Sequence, residues 1–304
     1  MEGSHATNAI RPVLRAVNAG SGGSYRVVRK FSGGVWGAWL VRDGLRHDAV
    51  LKCMWGVDRR ARLSTAAKVV DEFRDRGGPA PRYLHYGYIE GVGTWSLQER
   101  LPGRSVKQLT RQLLTQVLHM SELQMQRGRP PPSGFNWADH VTREVLSDAS
   151  RMETAIRSHS RSTARVASLI RERLSSDSDV RMCRGDLVHG DLLATQFLVA
   201  GGRMSGVVDW DAAAYGDRCI DLALLFMNVH VQADRIRRPL DQEIVISLGS
   251  AAVTEFGHTN FGVCLAYHLM RMLGFVVRNA PDRVPWRTSL SLRTIQSFER
   301  LRGD

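Results

Sequence analysis

Residues 187–222 read LVHGDLLATQFLVAGGRMSGVVDWDAAAYGDRCIDL, and every other segment of the chain is best interpreted outward from them. His189-Gly190-Asp191 comes first, Gln196 follows, and a hydrophobic run then delivers Asp209-Trp210. Asp191 and Asp209 lie 18 positions apart. Between them Gly201-Gly202-Arg203 separates two short apolar runs, 196–200 and 204–210, which suits a tight hairpin. A hairpin there folds the two carboxylates back toward one another. One carboxylate can orient a hydroxyl, while a side-chain carbonyl and the second carboxylate suit a hard divalent cation. This is the set that phosphoryl transfer needs, because that chemistry rests on positioning and on charge stabilisation. Gly216-Asp217 and Asp221 follow, and the pattern becomes helical again at Asp221.

At 304 residues the chain is long enough for one large domain or two lobes with a substantial core. A hydrophobic content of 43% with interspersed charge excludes global disorder. No uninterrupted apolar run matches a membrane span, and the opening MEGSHATNAI lacks the charged-then-apolar layout of a secretory signal. Cys53, Cys183, Cys219 and Cys264 are scattered, with no CxxC pair and no Cys-His cluster. Reduced, packed thiols in a cytoplasmic protein are therefore expected. The formal net charge is +12, but the arginines are spread along the chain rather than gathered in one stripe. No nucleic-acid partner and no membrane partner are expected, and the chain is read as a monomer or homodimer. The clusters Arg59-Arg60-Ala61-Arg62 and Arg235-Ile236-Arg237-Arg238 read most simply as solvated surface, with a grip on an anionic acceptor as the alternative.

The first third of the chain reads as β-rich. Runs at 25–31, 36–41, 49–54, 83–88 and 94–99 carry β-branched or aromatic residues, separated by Gly33-Gly34, Asp43-Gly44 and Gly91-Val92-Gly93. One helix interrupts them at 60–76, with Ala66, Val69, Val70 and Phe73 on one face and Gly77-Gly78-Pro79 as its stop. After Leu101-Pro102-Gly103 the pattern turns helical at 105–127, 137–159 and 162–175, with Arg129-Pro130-Pro131-Pro132 as a breaker. A last long helix, 261–277, carries Phe261, Leu265, His268, Leu269, Met272 and Val276 at helical spacing, which makes His268 a core histidine. The expected architecture is α+β in two lobes, a β-rich lobe over 1–102 and a mainly helical lobe over 103–304.

HGD, then an amide residue, then Val207-Val208-Asp209-Trp210, with Gly216-Asp217 and Asp221 beyond, resembles the catalytic centre of the aminoglycoside phosphotransferase family. The resemblance implies a protein-kinase-like fold and transfer of the γ-phosphate of ATP, or of GTP in its place, to a hydroxyl of a small molecule. An antibiotic is the leading acceptor, and a metabolic small-molecule kinase or a nucleotide-binding pseudokinase are the alternatives. It implies Asp191 as catalytic base and Asp209 as a magnesium ligand. His189 becomes a structural residue of the loop. Asp221 props that loop and sits where it could cap a helix beginning at Leu222, and Asp211 faces the acceptor.

In the β-rich part, Ser32-Gly33-Gly34-Val35-Trp36-Gly37 resembles a phosphate-covering glycine loop, in which Gly33 and Gly34 let backbone amides approach phosphate. Ala49-Val50-Leu51-Lys52 places Lys52 where kinase-like proteins contact the α- and β-phosphates. The stretch 95–103 resembles the hinge, with adenine pairing to backbone near Glu99 and Leu101.

Two features depart from the family pattern. Gln196 stands where the family has asparagine as second metal ligand, and Leu193-Ala194-Thr195 replaces the more usual His-Pro-Gly. Glutamine keeps the amide oxygen but extends it by a methylene, which magnesium's strict geometry tolerates poorly. The acidic partner of Lys52 is also open. Asp71 and Glu72 lie off the apolar face of their helix, so either that helix turns to present one of them or Lys52 works without such a pair.

Overall fold

The computed structural model describes residues 2–32, 36–126, 133–147, 150–175 and 179–302. Gly33, Gly34 and the Arg129–Pro132 breaker fall outside these residues. The chain opens with an element that the β-rich reading missed, helix α1 (Glu2–Ser21). Ile10, Val13 and Val17 recur at helical spacing and are buried. They pack on one face of a five-stranded antiparallel sheet ordered β1-β2-β3-β5-β4. Its strands are β1 (Arg26–Lys30), β2 (Ala38–Arg42), β3 (Asp48–Trp55), β4 (Tyr83–Ile89) and β5 (Gly93–Glu99). Helix α2 (Arg60–Asp75) lies between β3 and β4 in the chain.

Strand periodicity sorts the two faces of this sheet. Ala49, Leu51 and Cys53 of β3, with Trp95 and Leu97 of β5, turn toward α1. The alternate positions Lys52, Ser96 and Gln98 turn the other way, and the register sets Lys52 opposite Ser96 and Val50 opposite Gln98. The apolar face of α2 (Leu63, Ala66, Val69, Val70 and Phe73) joins the main core of the molecule, with Trp137, Leu187, Trp210 and Tyr215.

Beyond residues 100–103 come β6 (Arg104–Ser105), α3 (Arg111–Gln124), α4 (Trp137–Leu146), α5 (Arg151–His159) and α6 (Arg161–Leu174). The single helix expected over 137–159 is two helices. Ser147 adopts an extended conformation that ends α4, and Ser150 starts α5 by accepting the Glu153 N–H. Next are β7 (Asp186–Val188), β8 (Phe197–Ala200), β9 (Arg203–Val207) and β10 (Ala214–Gly216). Gly201 and Gly202, with φ of 56° and 77°, make the two-residue turn of the β8–β9 hairpin. The chain closes with α7 (Cys219–Arg235), α8 (Gln242–Phe256), α9 (His258–Asn279) and α10 (Val284–Glu299).

Helix α9 is long and apolar enough to cross a membrane by length and composition, yet 72% of its apolar window is buried inside the protein. It is the central core helix, packed against α4 to α8 and α10. His268 sits on it fully enclosed, with Nε2 against the Ile220 carbonyl at 2.9 Å and Nδ1 unpartnered. Burial pushes this imidazole down to about 3. Cys53, Cys219 and Cys264 are buried thiols, but Cys183 is exposed, contrary to the expectation that all four would be packed.

Candidate active site

The HGD loop is fixed from both sides. β7 pairs antiparallel with β10, and the β8–β9 hairpin returns the chain to Val208 and Asp209. His189 is buried, with Nε2 at 3.0 Å from the Val208 carbonyl and Nδ1 accepting the Asp191 N–H at 3.3 Å. Both ring nitrogens are thereby occupied by backbone. Trp210 packs on it with ring centroids 4.5 Å apart and on Phe73 of α2 at 4.8 Å, which ties the end of the hairpin beyond β9 to the loop and to α2. Gly190 has φ of 79°, and a Cβ there would collide with Trp137 and the Ala212 carbonyl, so only glycine fits the turn.

Asp221 is the anchor beneath the loop. Its two oxygens accept the N–H groups of His189 (2.7 Å) and Gly190 (2.8 Å), and Gln124 of α3 donates a third bond at 2.8 Å. Burial raises its carboxyl, and these donors oppose that rise. Asp221 does not cap a helix at Leu222: α7 already starts at Cys219, whose N–H is taken by Asp217 Oδ1 at 2.9 Å. Asp217 also accepts the Cys183 N–H, and burial pushes its carboxyl up to about 6.

Lys52 meets no acid from α2. Glu72 instead turns into the helical part, where Tyr215 (2.7 Å) and Gln126 (2.5 Å) donate to it, and Asp71 is exposed. The lysine crosses the cleft. Its Nζ lies 2.7 Å from Asp209 Oδ1 and 3.0 Å from Asp211 Oδ2. Burial works against this ammonium, but Asp211 and Asp209 outweigh it and raise its pKa. In return Lys52, against an opposing burial effect, holds the Asp209 carboxyl below its ordinary value, helped by the Gln196 side chain. Asp209 adopts a left-handed conformation, φ 74° and ψ 43°, which is strained for a residue with a side chain and aims its carboxylate out of the hairpin.

Asp211, expected to face the acceptor, has its carboxylate bonded to residues of the sheet. Its Oδ1 accepts from Tyr83 (2.7 Å) and Gln98 (3.1 Å) while Oδ2 accepts from Lys52, so both its oxygens are engaged by the sheet. Burial, then Asp211, raises the Tyr83 phenol well above its usual value. Gln196 is buried, and its Oε1 accepts the Leu193 N–H at 2.8 Å, closing the short turn ahead of β8. One lone pair of that oxygen remains for a cation. Two carboxylates facing one ammonium leave an excess of negative charge, and all these donors are hard oxygens, a set that suits magnesium.

Glu99 and Leu101 flank the crossing between the sheet and the helices. The Glu99 N–H donates to the Arg82 carbonyl at 2.9 Å, its side chain pairs with Arg74 at 3.0 Å, and Leu101 packs over Gly206 of β9.

Asp191 is half-exposed and lies on the far side of the loop, with Oδ1 at 3.1 Å from Arg271 of α9. Around it stand Arg62 and residues that sequence reasoning left out: Phe135, Trp137, His140, Tyr267 and Arg271. The aromatic ones sit edge to face, with centroids 5.1 Å (Phe135–Trp137) and 6.2 Å (Trp137–Tyr267) apart. Arg62 had been read within a solvated cluster, whereas its guanidinium lies 5.1 Å from the Phe135 ring and 5.7 Å from Trp137. Trp137 and Phe135 come from an unremarkable stretch after the proline run, so periodicity held no signal for them. The Arg235–Arg238 cluster is exposed at Arg235, Arg237 and Arg238.

A β-sheet lysine facing acids of a hairpin in a helical lobe defines the class of a kinase-like transferase. Residues 27–251 match the sequence profile of the phosphotransferase enzyme family, and the chain belongs to that family. A direct sequence comparison with curated proteins gives no match. Among solved structures, a thermostable mutant of aminoglycoside phosphotransferase APH(4)-Ia with AMP-PNP and hygromycin B superposes with a TM-score of 0.67 at 16% identity, covering 94% of this chain and 98% of that one. The amicoumacin kinase hAmiN, bound to AMP-PNP, Ca2+ and amicoumacin, gives 0.62 at 13% identity over 98% and 96%. The GDP complex of aminoglycoside 2'-phosphotransferase-IIIa gives 0.61 at 12% identity over 96% and 98%. These likenesses establish the two-lobed, kinase-like α+β fold. By family the protein is a small-molecule phosphotransferase.

Proposed function

We propose that this chain moves the γ-phosphate of ATP to a hydroxyl of a small molecule, with residues 1–102 as the nucleotide lobe and 103–304 as the catalytic and acceptor lobe. The observation that carries this reading is the meeting of Lys52 with Asp209 and Asp211 beside the loop that presents Asp191. Lys52 contacts the nucleotide phosphates, and Gly33 and Gly34 belong to the segment assigned from sequence to the phosphate-covering loop. The backbone near Glu99 and Leu101 receives the base. Asp209, with Gln196 as second oxygen donor, holds magnesium, which when bound neutralises charge on the phosphates. Among the described residues no group of three or more His, Cys, Asp or Glu side chains could hold a metal alone, so most of the shell would come from phosphate and water.

Asp191 orients the acceptor hydroxyl and receives its proton as the new bond to phosphorus forms and the bond between the γ-phosphorus and the departing ADP oxygen breaks. Arg271 holds the carboxylate in place. Asp221 and His189 keep the loop rigid, so that positioning rather than basicity supplies most of the rate. Antibiotic inactivation is supported by the compounds that the structural neighbours bind. A metabolic kinase of the same fold is the second reading, favoured by the arginines around Asp191. Magnesium-dependent ATP turnover, alone and with a panel of antibiotics and metabolites, tests the proposal. Complete absence of ATP turnover under all conditions sinks it and leaves a nucleotide-binding pseudokinase.

A further inference from the structure

Around Asp191 stand two guanidinium groups, Arg62 and Arg271, and one further carboxylate, Glu144, which acts on Tyr267 and His140. Arg62 is the key residue. It is partly buried, stacked between Phe135 and Trp137, and its charged neighbours are Arg59, Arg271 and the Tyr267 phenol, with no carboxylate among the described residues. Burial, then Arg59, lowers its pKa, a sign that the cation is under-compensated in the free protein. Its neighbour Arg60 is by contrast satisfied, paired with Asp58 at 2.7 Å and stacked on Tyr88. The π faces beside Arg62 offset only part of the cost of partial burial.

Arg271, 44% exposed, is tied to Asp191 through one nitrogen, which leaves donors of its planar fork available. Phe135 exposes 43% of its surface beside these guanidinium groups, an apolar wall open to solvent. A broad depression open to solvent runs along Asp58, Arg59, Arg60, Ala61 and Arg62, so the Arg62 side of the cleft can be reached from outside.

From this arrangement we infer that the acceptor is an anionic hydroxyl compound, whose carboxylate, phosphate or sulfate is held by Arg62 and Arg271 while its planar or apolar body lies against Phe135, Trp137 and Tyr267. This deepens the phosphotransferase reading and rests on it. An oxyanion relieves the mutual repulsion of the arginines, and guanidinium–oxyanion pairs in a partly desolvated site are strong and directional. A polycationic aminoglycoside meets the same arginines as repulsion. The net charge of +12 acts in the same direction at long range, attracting anions to the cleft.

The test uses three compounds that share a para-(hydroxymethyl)phenyl body and carry a negative, neutral or positive group: para-(hydroxymethyl)benzoate, its methyl ester and para-(hydroxymethyl)benzylamine. Their binding to the full-length protein and their phosphorylation with magnesium and ATP are measured together. The carboxylate should exceed the ester by about ten- to a hundred-fold in affinity or kcat/KM, and the amine should rank last. Arg62→Met should then collapse the carboxylate-to-ester ratio toward unity. Equal binding of the three compounds, a preference for the amine, or no binding of the carboxylate overturns the inference. A uniform loss in Arg62→Met that keeps the ratio also overturns it, because Arg62 would then serve the transferring phosphoryl group or the fold. Acceptor-free ATP turnover of the wild-type protein is read in parallel: its presence with no charge preference rejects only this inference, while its absence along with every phosphorylation rejects the phosphotransferase reading itself.

Discussion

The two sides of the HGD loop carry opposite imbalances of charge. On the sheet side, Asp209 and Asp211 face the single ammonium of Lys52, and every oxygen of Asp211 is matched to a donor. On the other side the carboxylate of Asp191 faces Arg271, with Arg62 and Arg59 beyond and Glu144 near Tyr267 and His140. Each side therefore lacks the charge that its ligand would bring. The acidic side suits a cation-bearing nucleotide, and the basic side suits an anion. The sheet side is also the more rigid, because its network joins β3, β4, β5 and the β8–β9 hairpin. The acceptor side is built from aromatic edges and long arginines, which can differ between relatives without disturbing the loop.

Asp191 stands on the border between the two sides, and its replacement has the largest expected effect. Asp191→Asn keeps the shape but removes the proton acceptor, so turnover should fall by about 10²–10⁴-fold. ATP affinity should barely change, because no bond links Asp191 to the Lys52 network. Near-full turnover of this variant with a verified acceptor would remove the assigned mechanism. Asp209→Asn comes next. It deletes a charge that both Lys52 and the metal use, so turnover should drop by about 10²–10³-fold and magnesium-dependent ATP binding should weaken with it. If isothermal titration finds ATP binding untouched, the acidic side is not the nucleotide side and the comparison breaks.

Gln196 sharpens the picture at a smaller scale. Its Oε1 closes the turn at Leu193 and its side chain supports Asp209, so it has a structural task besides any bond to metal. Gln196→Leu should lower activity strongly and raise the magnesium requirement. Gln196→Asn should leave activity intact or raise it, since the shorter arm removes the length mismatch. Equal activity in all three proteins would show that position 196 is no ligand, and the cation would then rest on Asp209 alone.

Local chemistry made the helical side of the site legible from sequence. His189, Asp191, Asp209 and Asp221 lie within one segment whose hairpin is dictated by Gly201-Gly202, so their proximity follows from short-range geometry. Lys52 was legible as a strand residue, but its partners were not, because Asp211 reaches it across 159 positions. Tyr83 and Gln98, which turn Asp211 toward the sheet, are invisible for the same reason. Helix α1 was not expected although Ile10, Val13 and Val17 have helical spacing, because Pro12, which lies inside it, reads as a helix breaker. The arginine cluster was misread at one position only. Arg62 lies on the face of α2 that turns toward the core, and the aromatic residues that shelter it, Phe135 and Trp137, come from the start of α4 and the residues just before it.

The smallest expected effect separates acid inactivation of the cleft from acid unfolding of the core. His230 and His268 are buried neutral, and burial pushes them down to about 4 and about 3. In the unfolded chain each titrates near the ordinary histidine value of about 6.5. Between these limits the unfolded state binds more protons, so stability rises with pH and is lost as pH falls below about 6.5. One pH unit below that value, each histidine should cost the fold about 1 kcal/mol. Asp217 works in the opposite sense over its own range, since its raised carboxyl, at about 6, takes up a proton more readily in the folded state. A comparison of two proteins that both retain Asp217 removes that contribution. His230→Gln should therefore lose less stability than the wild type between pH 7 and pH 5.5, by about 1 kcal/mol in urea unfolding. The pH profile of kcat, set by the cleft, should be unchanged. An identical stability slope in the two proteins would mean that His230 is not held neutral, and a shifted kcat profile would mean that core and cleft titrate as one unit.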